Sequence, residues 1–72
     1  MEINIHYCAP GGFEPKAVSL ADELQTALGV KANLVEGSNG IFDVLVDGEL
    51  VFSKAKAGRF PETGEVTAKF KQ

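Results

Sequence analysis

The side chain best suited to chemistry is the thiol of Cys8, the single cysteine of the chain. It is followed by Ala9, Pro10 and two glycines, which permit tight turning and predict a loop over 8–12. A thiol in such a loop becomes a nucleophile when a cation or a helix N-terminus stabilises its thiolate. Free cysteines are more often buried packing residues. We nevertheless predict an exposed, reactive Cys8 because of the glycine-rich loop around it.

His6 is a candidate modulator of that thiol, since it stands two residues before Cys8. If a strand reaches Cys8, both side chains emerge on one face of the sheet, where an imidazolium would favour the thiolate. The alternative is a solvated histidine without a role, which is the more common case. We expect no metal at His6 and Cys8, because zinc takes three or four protein ligands. We also expect no bound cofactor.

A strand and a helix are predicted to hold the Cys8 loop. Ile3, Ile5 and Tyr7 alternate with polar residues, which predicts a strand over 2–7. After the loop, apolar residues recur with helical spacing at Ala17, Leu20, Ala21, Leu24, Ala27 and Leu28. The thiol would then lie at the carboxyl end of a strand, where open α/β sheets bind ligands.

The helix limits are predicted from Pro15, which suits a first turn, and Gly29, which suits the stop. The positive end of a helix stabilises a thiolate only within about one turn. Because several residues separate Cys8 from Pro15, the sequence leaves this contribution open.

The rest of the chain predicts three further strands and a second helix. Residues 30–35 alternate between apolar and polar types and are followed by a turn over 37–40, which predicts a second strand. Because a helix separates the first two strands, a right-handed parallel βαβ unit is expected. Strands over 41–46 and 49–53, joined by Asp47-Gly48, predict a type I′ hairpin. Residues 55–59 are predicted as a loop, and a terminal helix is predicted from Pro61 through Val66 and Phe70, with Lys69 and Lys71 near its end. The β-α-β-β-β-α order indicates an α/β (α+β) two-layer sandwich, a four-stranded mixed sheet with two helices, as one domain over 1–72.

Composition narrows the function classes. The 72 residues carry 7 Lys plus Arg against 10 Asp plus Glu, a net charge of −3, so we expect no nucleic-acid partner. No apolar run approaches the ~20 residues of a membrane span, and the start of the chain lacks the basic and apolar segments of a signal peptide. With one cysteine and no disulfide, a reducing, cytoplasmic location is expected.

Several short segments together resemble the selenoprotein W-related, or Rdx, family of thioredoxin-like proteins. They are Tyr7-Cys8, Gly40-Ile41-Phe42-Asp43-Val44, the segment from Asp47 to Lys54, and Gly58-Arg59-Phe60-Pro61. The resemblance covers nearly the whole chain. It implies a thioredoxin-like fold, a C-x-x-C or C-x-x-selenocysteine motif in the first loop, and thiol redox or antioxidant activity involving glutathione.

The first motif position falls on Cys8 and the second on Gly11, a degenerate second redox position, since glycine cannot attack or form a disulfide. What remains is monothiol oxidoreductase-type chemistry, in which Cys8 forms a mixed disulfide with glutathione or a thiol-containing protein. The loop backbone from Ala9 to Gly12 would stabilise negative charge, and Gly40 would form a wall of the substrate groove.

The alternative is a binding module that kept the fold and lost catalysis. The strand face that carries Asp43 also carries Ile41 and Leu45, which would leave apolar surface uncovered if both helices lie on the other side. Self-association as a homodimer is left open. The segment 59–61 is interpreted as structural, with Phe60 packed into the core.

Overall fold

The structure, a computed structural model, describes residues 1–70. Its elements are β1 (Ile3–Cys8), α1 (Glu14–Leu28), β2 (Asn33–Gly37), β3 (Phe42–Val46), β4 (Glu49–Ser53), α2 (Lys54–Ala57) and α3 (Glu65–Ala68). The strands lie in the order β2-β1-β3-β4; β1 and β2 are parallel, and the other neighbours are antiparallel. The predicted four-stranded mixed sheet is confirmed, and a third, short helix is added to the predicted order.

Burial alternates along β1 and divides the sheet into two faces. Ile3 and Ile5 are fully buried, whereas Asn4 and His6 are half-buried. The buried face packs against α1, and the core contains Ile3, Ile5, Tyr7, Ala17, Leu20, Leu24, Ala32, Phe42, Val44, Phe52 and Val66. Each large aliphatic side chain removed from water in this way contributes roughly 1.5–3 kcal/mol.

The first helix follows the predicted limits closely. Pro15 lies in its first turn, and Gly29 ends it in the left-handed conformation with φ 71°. The Gly29 N–H donates to the carbonyl of Gln25 at 2.9 Å, which satisfies an end group of the helix.

Among the helices of residues 1–70, none is long and apolar enough to cross a membrane.

The hairpin between β3 and β4 has the predicted turn. Asp47 and Gly48 both have positive φ, 51° and 85°, as a type I′ turn requires. Asp47 also joins the hairpin to the start of β1: its N–H donates to the Glu2 carbonyl, and its Oδ1 accepts from the Glu2 N–H, both at 2.8 Å. Asp47 therefore fixes both the turn and its position on the sheet.

The second strand begins later than predicted. It runs over Asn33–Gly37, not 30–35, because β1 begins at Ile3 and its parallel register pairs Asn4 with Asn33. The preceding residues connect α1 to the sheet, with Ala32 buried in the core. Leu34 is 38% exposed, since β2 is an edge strand.

The segment after β4 also differs from the prediction. The four-residue α2 begins at Lys54 and extends into the predicted loop over 55–59, and Gly58, with φ 76°, caps its end. The predicted terminal helix is reduced to α3 because Gly64, at φ 84°, places a left-handed residue before it. Lys71 lies outside the described residues.

A carboxylate of α1 holds α3 in place. Oε2 of Glu23 accepts hydrogen bonds from the N–H of Gly64 and the hydroxyl of Thr67, each at 2.8 Å. The negative charge lies at the start of α3, where helix N–H groups are otherwise unpaired. Glu23 thereby joins the end of the described chain to the main helix.

Candidate functional site

Cys8 is the last residue of β1, one position beyond the predicted end of the strand. Its N–H donates to the Ile41 carbonyl at 2.9 Å, and it pairs with Gly37 of β2. Only 5% of the residue is exposed. The prediction of an exposed cysteine was therefore wrong: neighbouring chain on both sides and the following turn bury it.

The turn from Ala9 to Gly12 folds back over the end of β1. The Gly12 N–H donates to the Ala9 carbonyl at 3.1 Å, and the Phe13 N–H donates to the Cys8 carbonyl at 3.2 Å. Gly12 has φ 77°, a conformation that glycine adopts without strain. The start of α1 is thus joined to the Cys8 backbone despite the residues between them.

Most amides of this turn are already used. Those of Ala9, Gly12 and Phe13 donate to backbone carbonyls, and Pro10 has no N–H. Within residues 1–70, the Gly11 amide is the one in this segment without a backbone acceptor. The loop backbone from Ala9 to Gly12 was predicted to stabilise a thiolate. Of its amides in the described chain, that of Gly11 alone is left for this role.

Gly11 lies directly against the thiol. A Cβ atom at position 11 would be 3.0 Å from Sγ of Cys8 and 3.6 Å from its Cβ. Disulfides have Cβ···Cβ distances of about 3.5–4.5 Å, and an S–S bond of about 2.05 Å places each Cβ about 3 Å from the opposite sulfur. Gly11 therefore lies where the second residue of a disulfide with Cys8 would stand.

His6 lies in β1 two residues before Cys8, the spacing at which side chains of a regular strand share a face. His6 is half-buried between Val35 of β2 and Asp43 of β3, its direct neighbours in the sheet. The residue thus has a carboxylate-bearing neighbour, Asp43, directly across the sheet.

Two residues beside Cys8 were missed by sequence reasoning. They are Gly37 and Ile41, whose carbonyls accept hydrogen bonds from the N–H groups of Ala9 and Cys8. Gly40, which was predicted to form a wall of the groove, lies in the turn between β2 and β3 with φ 73°. A Cβ at Gly37 would lie 2.9 Å from Cγ2 of Ile41, so only glycine fits there without displacement. The signal available was the parallel register, which places the ends of β1 and β2 side by side.

An aromatic cluster borders the turn. The Phe60 ring meets Phe13 and Phe42 edge-on, with centroid distances of 4.9 and 5.2 Å. Nζ of Lys16 lies 5.2 Å from the Phe60 centroid; Nζ of Lys54 lies 5.4 Å from it and 5.6 Å from that of Phe13. Sequence reasoning did not find these lysines, since they come from different elements. The packing of Phe60 against the core matches the structural interpretation of its segment.

An ion pair fixes the loop that carries Phe60. Arg59 donates to both carboxylate oxygens of Glu65, at 2.7 and 2.9 Å, and to the Phe60 carbonyl at 3.0 Å. These hydrogen bonds, with that from the Glu62 N–H, lower the pKa of Glu65 to about 2. Among residues 1–70 this is the only salt bridge within 4 Å.

Comparison with known proteins identifies the family. The model of the Rdx family matches residues 2–72. This chain belongs to the Rdx family. The proteins called migration and invasion enhancer 1 from Bos taurus and Mus musculus are each 36% identical to it over 62 residues, covering 85% of this chain. The same residues cover 54% of each relative, so the chain spans about half their length.

Solved structures support the thioredoxin-like fold of this Rdx-family chain. A protein from Bordetella parapertussis matches with a TM-score of 0.90 at 27% identity, over 94% of this chain and 90% of its own. The selenoprotein W-related protein from Vibrio cholerae matches with a TM-score of 0.84 at 22% identity, over 94% of this chain and 88% of its own. The predicted family and fold are confirmed.

The Rdx site in this chain can support one kind of sulfur chemistry. A single thiol can form a mixed disulfide, but the chain has no second cysteine to resolve it. Gly11, three residues after Cys8, is exposed and has no side chain. A disulfide at Cys8 would therefore need a sulfur from outside this chain.

Proposed function

We propose that this protein is a monothiol redox protein that acts through Cys8 by forming a mixed disulfide with glutathione or with a thiol-containing protein. The position of Gly11 supports this most strongly. Because a Cβ at that position would be 3.0 Å from the thiol sulfur, the space beyond it has the geometry of a disulfide partner. An external sulfur that approaches through this space meets Sγ where a second cysteine would have met it.

The reaction consists of two thiol–disulfide exchanges. In the first, the Cys8 thiolate attacks one sulfur of a disulfide; a new S–S bond forms, the old one breaks, and the other sulfur leaves as a thiolate that takes up a proton. In the second, an external thiolate attacks the mixed disulfide and releases reduced Cys8. The external thiol is oxidised and the original disulfide is reduced, so the protein returns unchanged.

The chain contributes position and one hydrogen-bond donor to this cycle. Gly11 lies against the thiol, and its N–H lacks a backbone acceptor in the described residues, so we assign this N–H as the donor to the sulfur when that sulfur carries charge. His6 lies on the same sheet face and supplies a second group that can favour the thiolate when protonated.

The test is adduct formation in the folded chain. After incubation with oxidised glutathione under native conditions, intact mass should show one glutathione per chain, and an external thiol should remove it. Cys8→Ser should show none. The same incubation in denaturant measures the reactivity of the uncovered thiol.

A native chain that forms no adduct, while the denatured chain does, would refute the monothiol function. That outcome would favour the second candidate, a binding module. This candidate is supported by the burial of Cys8 and by a pair of leucines, Leu45 and Leu50, that face each other across β3 and β4. Leu50 is 40% exposed, so apolar surface is available on this part of the sheet.

A further inference from the structure

Two ammonium groups lie beside the aromatic rings that border the Cys8 turn. Lys16 comes from α1 and Lys54 from the start of α2, yet their Nζ atoms lie 5.2 and 5.4 Å from the centroid of one ring, that of Phe60. Cation–π attraction holds such groups near the ring while leaving their N–H donors available. The fold thus brings two positive charges from distant parts of the chain to one place.

The cluster is continuous with the approach to the thiol. Cε1 of Phe13 would lie 3.4 Å from a Cβ at Gly11, which in turn would lie 3.0 Å from Sγ of Cys8. Phe13 also carries Lys54 near its ring, 5.6 Å from Nζ to the centroid. The Phe13 ring therefore lies between Lys54 and the space beside Gly11 through which a partner would reach Cys8.

The charges of these lysines are not neutralised by ion pairs. In the part of the chain that the structure describes, the single salt bridge joins Arg59 to Glu65, which leaves Lys16 and Lys54 outside any such pair. Glu23 and Glu62 line the same groove as Lys16 and reduce its field there, so Lys54 should have the larger effect. The two lysines bring two positive charges to one place in a chain of net charge −3, and Glu14 and Glu36, whose charges act on Tyr7 next to Cys8, oppose them.

We propose that Lys54 and Lys16 select negatively charged thiols and disulfides, those that carry carboxylates, as reaction partners of Cys8. The inference rests on the proposed monothiol function and adds the partner's charge. Opposite charges concentrate an anionic partner near the thiol and hold it there during exchange. Neutral partners gain nothing from the lysines, and cationic partners are repelled.

Three small disulfides of similar size test the proposal: dithiodipropionic acid with two carboxylates, bis(2-hydroxyethyl) disulfide without charge, and cystamine with two ammonium groups. The rate of adduct formation at Cys8 should be about 3- to 10-fold higher with the anionic than with the cationic disulfide at low ionic strength, and the preference should shrink at high salt. Using the ratio of rates removes any change in the intrinsic reactivity of the thiol.

The variants separate local from general charge effects. The double variant Lys16→Gln/Lys54→Gln should lose most of the preference, and Lys54→Gln alone should lose more than Lys16→Gln. Lys31→Gln is the matched control, because Lys31 precedes β2 at the end of the sheet opposite Cys8, and it should keep the preference.

Equal rates with all three disulfides, or a preference that persists in the double variant, would overturn the selection by these lysines and leave the monothiol function standing. Failure of the native protein to react even with the neutral disulfide would overturn the monothiol function itself, and this inference with it.

Discussion

Introducing a cysteine at Gly11 should produce a disulfide with Cys8 without rearrangement of the fold. The Cβ atoms would be 3.6 Å apart, and the new Cβ would lie 3.0 Å from the existing sulfur, both within the geometry of an unstrained disulfide. Gly11 is absent from the residues with positive φ, so a cysteine can adopt its backbone conformation. The neighbouring Phe13 atom, at 3.4 Å, has to yield only slightly.

The stabilisation can be estimated from loop entropy. A bond between positions 8 and 11 closes a loop of four residues, for which the chain-entropy relation gives about 2 kcal/mol at 25 °C. For a domain of this size, 1 kcal/mol shifts Tm by roughly 4–8 °C. Oxidised Gly11→Cys should therefore melt roughly 8–16 °C above its reduced form.

The assay is free-thiol titration and thermal melting of Gly11→Cys before and after mild oxidation. Gly12→Cys is the control, because its φ of 77° disfavours a side chain and a Cβ there has no neighbour within 4 Å. The control should keep two free thiols or link between chains. Gly11→Cys that stays reduced, or that loses stability on oxidation, would refute the placement of Gly11 against the thiol.

Two further predictions concern the loops that frame the site. Glu23→Ala should lower the free energy of unfolding by about 1–3 kcal/mol, because the Gly64 N–H and the Thr67 hydroxyl lose their acceptor. Glu23→Gln retains an acceptor oxygen and should lose less stability. Equal losses for the two variants in urea unfolding would contradict this account. The pKa of Glu65, lowered from 4.5 to about 2 in the folded chain, means that its ion pair with Arg59 contributes fully above pH 4.5 and is lost as the pH falls toward 2. Urea unfolding between pH 2 and 5 should therefore show a weaker acid dependence for Glu65→Gln than for the native chain, and identical slopes would exclude the effect.

The features predicted correctly are those specified by local chemistry. The alternation of Ile3, Ile5 and Tyr7 is sufficient to place β1, and Asp47-Gly48 can adopt the positive φ pair of a type I′ turn at little cost. The limits of α1 follow from a proline and a glycine that suit only its ends. In each case the determining interactions lie within a few residues.

The features predicted wrongly depend on distant parts of the chain. The start of β2 is fixed by the start of β1, through the pairing of Asn4 with Asn33. Gly64 shortens α3 locally, but the position of α3 against α1 depends on the Glu23 carboxylate, 41 residues before Gly64 in the sequence. No local pattern indicates either contact, which also explains why the position of the lysines around Phe60 was not foreseen.

The burial of Cys8 and its proposed reactivity are compatible because of what covers the thiol. The segment over 9–12 is held by single backbone hydrogen bonds, 3.3 Å from Ala9 to Gly37 and 3.1 Å within the turn, and Pro10 and Gly11 are exposed. Moving such a turn breaks few contacts, unlike moving a core side chain. The glycine at position 11 therefore has two consequences: it removes the resolving group, and it places no side chain of its own against the sulfur. A protein with this site depends on its partner for the second sulfur, and the surroundings of the turn then determine which partner reacts.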